Sequence, residues 1–129
     1  MENKQLKQTI LLIVEDELTL SEVLRDKFRS EGFEVMAAGD GAEGLAMALS
    51  HHPDIILLDI VMQKMGGISV LQKLREDTWG KTASIIVLTN LMDQEKKATA
   101  AQYGVSDYLI KTDYSLDDLI KRVKDKLSH

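Results

Sequence analysis

Short, unbroken apolar runs alternating with helical stripes set the tightest limit on what this chain can fold into. The runs stand at Ile10–Val14, Ile55–Leu58 and residues 85–88. Runs of that length and continuity read as strands buried on both faces. Residues 33–38 and 107–110 are weaker candidates. Leu20, Val23, Leu24 and Phe28 share one helical face, and Gly32 ends that helix. After Asp40, a predicted N-cap with Glu43 three residues on, Ala42, Leu45, Ala46 and Leu49 repeat the spacing. Ile68, Leu71 and Leu74 make a third stripe. Leu116, Leu119, Ile120, Val123 and Leu127 make the last, opened by Ser115 as N-cap. The helix predicted over residues 94–103 offers mainly Ala98, Ala100 and Ala101, so it buries little area and docks weakly. Strand and helix alternating about five times predict an α/β fold, a doubly wound parallel sheet with helices on both faces. Ligands of such sheets lie beyond the carboxyl ends of the strands.

At 129 residues the chain has room for one domain with a proper core, predicted over 1–129 with its core at about 8–127. It has no apolar run of about 18 residues, so no membrane span is predicted. The opening "MENKQLKQTI" lacks the apolar stretch of a signal peptide. The absence of cysteine excludes disulfides and thiolate metal sites and fits a cytoplasmic location. A net charge of -5 argues against direct nucleic-acid binding.

The predicted carboxyl edge collects chemistry. The first strand runs into Glu15 and Asp16, the third into Asp59, the fourth into Thr89 and the fifth into Lys111. Singly, each has a plain reading: Asp59 as a helix cap, Glu15 and Asp16 as a solvated cap pair, Thr89 as a strand-end residue, Lys111 as a surface lysine. Jointly they place three carboxylates, a hydroxyl and an amine together, which core packing does not require. Clustered carboxylates raise one another's pKa or bind a cation. Oxygen donors without His or Cys suit Mg²⁺. Metal and lysine together could then share the charge of a phosphoryl group, and a carboxylate can serve as nucleophile.

In "VED" (14–16), "LLDIVMQKMGG" (57–67), "VLTN" (87–90) and "YGVSDYLIKT" (103–112) the sequence resembles a response-regulator receiver domain over nearly its whole length. The resemblance implies a flavodoxin-like sheet of strand order 2-1-3-4-5, an arrangement for which a bacterial receiver is a standard example. It implies that Asp59 accepts a phosphoryl group from a phosphohistidine on a sensor histidine kinase or phosphotransfer protein. Asp16 and Asp59 would ligate Mg²⁺ directly, with Glu15 helping and the Val61 carbonyl adding a ligand. Thr89 and Lys111 would bond the phosphoryl oxygens. Tyr108 would change position on switching, although a half-buried structural tyrosine fits the sequence equally. The switch surface would be the helix from Gln94, the strand at Tyr108 and the last helix, acting on a downstream protein or through a phosphorylation-dependent homodimer.

Several residues depart from the family pattern. Thr112 and Gln63 stand where proline is usual, so the Lys111–Thr112 peptide, commonly cis before proline, is open to either isomer. Asn90 replaces a small residue. Val61 and Leu91 are apolar where an attacking water could otherwise be oriented, which predicts slow self-dephosphorylation. Val61 also argues against an aspartyl-phosphate enzyme, which would want a second aspartate there, and no cap-sized insertion is present. A binding module that keeps the shape without phosphorylation is an alternative, argued against by the intact charged residues. A flavin or nucleotide binder would need a Gly/Ser/Thr-rich loop where "VEDELTL" is acidic. His51, His52 and His129 are poorly placed for the site. Trp79, in "EDTWGKT", reads as a partner contact or a loop anchor. The reading is of a signalling switch, not an enzyme, either as a stand-alone regulator or as a domain of a larger protein.

Overall fold

The computed structural model describes residues 8–90 and 92–128. The first seven residues, Leu91 and His129 lie outside the described residues. The elements run β1 (Ile10–Val14), α1 (Leu18–Ser30), β2 (Glu34–Ala38), α2 (Gly41–His51), β3 (Ile55–Leu58), α3 (Gly67–Glu76), β4 (Ile85–Thr89), α4 (Gln94–Gln102), β5 (Tyr108–Ile110) and α5 (Leu116–Leu127). Single 3-10 turns at Gly80–Thr82 and Lys111–Asp113 precede β4 and α5. All strand pairs are parallel, in the order β2-β1-β3-β4-β5. The sheet is thus doubly wound, as the alternating pattern predicts. None of the described helices is long and apolar enough to cross a membrane.

The period of two along each strand divides the core. Leu12, Val14, Ile56, Leu58, Ile85, Val87 and Tyr108 face α2, α3 and α4. Leu11, Ile13, Ile55, Leu57, Ile86, Leu88 and Leu109 face α1 and α5, which deliver Leu24, Phe28, Leu119, Ile120 and Val123. Both faces are covered, so β1, β3 and β4 read as unbroken apolar runs. β2, at one edge, is only partly buried and gives the weaker signal.

Caps form where the sequence predicts them. Asp40 Oδ1 accepts the Glu43 amide at 2.8 Å, and Ser115 Oγ accepts the Asp118 amide at 3.1 Å. Glu43 reaches back to the Gly39 amide, one residue before the cap.

The expected α2 stripe is corrected. Ala42, Ala46 and Leu49 are exposed, and the buried face is Gly41, Gly44 and Ala48. The reason is close approach: a Cβ on Gly44 would lie 2.6 Å from Val14 Cγ1. In α1 the outward Val23 is 43% exposed and Ser21 takes the buried place. α4 is docked even more thinly than the sequence predicts, since Ala98 and Ala101 are exposed and Ala100 alone is buried. The Lys111–Thr112 peptide is trans. Trp79 is an anchor: it packs on the core and stacks on His52, ring centroids 4.5 Å apart.

Candidate functional site

Strand register assembles the site. Val14 pairs with Leu58, and the ladder continues one step as the Asp59 amide donates to the Val14 carbonyl at 3.0 Å. Glu15 and Asp59 therefore emerge side by side. Thr89 pairs with Ile110, so Lys111 leaves the sheet beside Thr89. Three of these polar residues are buried, Glu15 at 5%, Asp59 at 6% and Thr89 at 0% exposure, while Asp16 faces solvent.

Glu15, Asp16 and Asp59 each present a carboxylate oxygen within 4.8 Å of the others. The Lys111 ammonium bridges two of them, 2.6 Å from Glu15 Oε1 and 3.1 Å from Asp59 Oδ2. The remaining oxygens are held by main chain: Glu15 Oε2 accepts the Glu17 amide at 2.9 Å, and Asp59 Oδ1 accepts the Val61 amide at 3.2 Å. These bonds orient the carboxylates toward a concavity of about 440 Å³, which Val61, Asn90 and Glu17 also line. Glu17 was not singled out by sequence reasoning, although it is the third acid of "EDE" and its run of charge was the available signal.

Burial pushes the Glu15 carboxyl above the ordinary range, against the opposing bonds from Lys111 and the Glu17 amide. Burial disfavours the Lys111 ammonium too, but hydrogen bonds to Glu15 and Asp59 outweigh it and hold the lysine above its usual value. Both partners bear a desolvation cost; the lysine's bonds more than offset it, whereas those of Glu15 do not. An acid so placed is one that a divalent cation would relieve, and the all-oxygen donor set fits a hard ion such as Mg²⁺. Tyr108 is buried on the α4 face at 7% exposure. Burial raises its phenol pKa, helped by the charges of Asp93 and Asp59, so the hydroxyl stays protonated.

A flavodoxin-like sheet whose carboxyl edge carries an acidic pocket closed by one lysine defines the receiver class of signalling domain. The chain belongs to the response regulator receiver domain family, matched over residues 11–124. It is similar to the response regulator ArlR of Staphylococcus aureus, 33% identical over 116 residues that make up 90% of this chain and 51% of that protein. The chain thus spans about half the length of the curated relatives it matches. Among solved structures it is similar to the receiver domain of Francisella response regulator 1452, with 30% identity, a TM-score of 0.84, and coverage of 94% of this chain and 98% of that one. It is also similar to the CheX–CheY–BeF3–Mg²⁺ complex from Borrelia burgdorferi, with 29% identity, a TM-score of 0.82, and coverage of 91% and 87%. As a receiver domain it is a signalling switch and not a classical enzyme, and Mg²⁺ binding and phosphorylation are typical of its family.

Proposed function

We propose that this domain is a phosphoryl-accepting switch in which Asp59 is the acceptor. The observation that carries the reading is the cluster of three carboxylates, Glu15, Asp16 and Asp59, each with an oxygen within 4.8 Å of the others, and Lys111 bridging Glu15 and Asp59. Asp59 attacks the phosphorus of a phosphohistidine on a sensor histidine kinase or phosphotransfer protein; the P–N bond breaks as the new P–O bond forms. Glu15, Asp16, Asp59 and the Val61 carbonyl would hold Mg²⁺, which supplies charge stabilisation for the transferring phosphoryl group. Lys111 leaves its carboxylate partners to pair with a phosphoryl oxygen, and Thr89 donates its hydroxyl to another. The added charge biases α4, β5 and α5, with Tyr108 among the responding residues. That surface controls a downstream protein partner or a phosphorylation-dependent homodimer.

The exposed, apolar Val61 side chain lines the pocket and cannot orient water by hydrogen bonding, which favours a slowly hydrolysed aspartyl phosphate. Leu91, the other residue behind that expectation, lies outside the described residues. A single domain over 1–129 working in the cytoplasm completes the reading.

The test is intact mass after incubation with acetyl phosphate and Mg²⁺, beside Asp59→Asn and a metal-free control. One added phosphoryl group that needs both the metal and Asp59 is expected, with slow loss on dilution. No added mass, together with no beryllofluoride binding in Mg²⁺, would overturn the reading in favour of a phosphorylation-independent docking module.

A further inference from the structure

The two ends of α4 are held very differently. At its N-terminal end Asp93 caps the Lys96 amide, but Gln94 and Glu95 are exposed and Met92 is 54% exposed. At its C-terminal end Ala100 and Val105 are buried, and the Val105 amide folds back to the Ala100 carbonyl at 2.9 Å. Here a charged side chain from another helix takes hold. Arg75, near the end of α3, donates Nε–H to the Tyr103 carbonyl at 2.7 Å. Its Nη1 donates to the Gly80 carbonyl at 2.6 Å and the Ala83 carbonyl at 3.0 Å.

Those acceptors are unequal in mobility. Gly80 and Ala83 belong to the tight turn between α3 and β4. Asp77 accepts the Gly80 amide at 2.9 Å, and a Cβ on Gly80 would collide with the Leu74 carbonyl at 2.0 Å. Trp79, between them, is stacked on His52. That side of the clasp is a fixed seat, and Tyr103 hangs from it. Arg75 makes no hydrogen bond to a carboxylate among the described residues; its partners are neutral carbonyls, one at the C-terminal end of α4, where a cation is favoured by the helix dipole. Burial lowers the Arg75 pKa, but from so high a starting value that the guanidinium stays protonated and keeps its grip on the carbonyls around neutral pH.

We propose that Arg75 is the fulcrum of α4: it pins the helix at Tyr103, so that changes at the Thr89 end turn α4 about its C-terminus and do not shift it bodily. A helix of nine residues is about 13 Å long. Motion about Tyr103 is therefore greatest at Gln94, the end that follows Thr89 and Asn90, and least at Gly104. Arg75 is a positioning residue, acting through Tyr103. The inference rests on the reading of α4 as part of a phosphorylation-responsive surface.

Amide shifts and hydrogen exchange in the full ¹⁵N-labelled chain test it, with and without beryllofluoride and Mg²⁺, in the unaltered protein, Arg75→Met and Arg75→Lys. In the unaltered protein, beryllofluoride should move amides 94–96 most, 97–99 less, and leave 103–105 in place. In Arg75→Met, amides 103–105 should exchange roughly ten-fold faster and respond to beryllofluoride, while the β4 amides at 86–88 keep their protection. Arg75→Lys, which still donates, should restore part of the pinning. If Arg75→Met does not fold, Arg75→Gln takes its place. A response spread evenly along α4, or loss of protection in β4 equal to that at 103–105, would overturn the fulcrum. The Ile60 and Val61 amides report separately whether beryllofluoride binds. If they do not move, the phosphorylation reading fails, and the fulcrum stands or falls on the ligand-free exchange of 103–105 alone.

Discussion

Lys111 Nζ lies 2.6 Å from Glu15 Oε1 and 3.1 Å from Asp59 Oδ2, so the shorter ion pair is made to the first strand's acid. One ammonium thus bridges a pair of buried carboxylates and offsets part of their mutual repulsion. Replacing it leaves both acids buried with no lysine between them. Lys111→Met should lose about 3 kcal/mol in urea unfolding without divalent cations. Added Mg²⁺ should recover part of the loss. A variant as stable as its parent would show that the pair contributes nothing.

Gly44 and Val14 touch across the α2–sheet interface. Gly44→Ala would place a methyl group 2.6 Å from Val14 Cγ1, immediately before Glu15 in sequence. Overpacking of this kind should destabilise by about 2 kcal/mol. Combined with Val14→Ala, the loss should be smaller than the sum of the two single losses, because the second change vacates the space the first one fills. Simple additivity in denaturant titrations would count against this contact.

The loop after β3 carries Lys64 at φ 50° and Met65 at φ 81°, both in the left-handed region. The Lys64 carbonyl is committed there, accepting the Ala42 amide at 2.8 Å at the start of α2. A side chain in that region costs about 1 kcal/mol. Lys64→Gly should therefore raise stability by roughly that amount, about 4 °C in melting temperature. A fall in melting temperature would mean that glycine's extra freedom in the unfolded chain outweighs the strain.

Asp107 accepts from Lys126 at 2.9 Å and Arg122 at 3.0 Å. Burial pushes its pKa up, but these two partners outweigh burial and hold the carboxyl below the ordinary range. Because the folded value lies under the unfolded one, the contribution is complete above the unfolded pKa of about 4 and is lost as pH falls through the folded value. Urea unfolding from pH 7 to pH 3 should show a shallower acid decline for Asp107→Asn than for the parent. Parallel declines would remove Asp107 from the acid sensitivity.

What could be read from the sequence follows from what side chains announce by themselves. Ile55–Leu58 declared a strand because a segment covered on both sides tolerates no polar residue. Glu15, Asp59, Thr89 and Lys111 could be placed together because parallel strands put their ends on one edge. The α2 face could not be read, since glycine carries no hydropathy and its value lies in the space it leaves for Val14. Arg75 gave no signal either: a charged residue late in an amphipathic helix reads as solvated, and the carbonyl that matters most, that of Tyr103, lies 28 residues on in the chain, beyond the turn that supplies the other two. That Lys111 lies nearer Glu15 than Asp59 is a matter of rotamers, which no motif encodes.

The sheet separates two cores that share no side chain among the described residues, with Leu12, Val14, Ile56 and Leu58 on one side and Leu11, Ile13, Ile55 and Leu57 on the other. A substitution in the layer under α1 and α5 repacks against neighbours that the layer under α2, α3 and α4 never meets. The two flanks of the molecule can therefore drift independently in evolution. The recognition properties of one side can be rewritten while the other side, and the acidic edge suspended between them, keep their geometry.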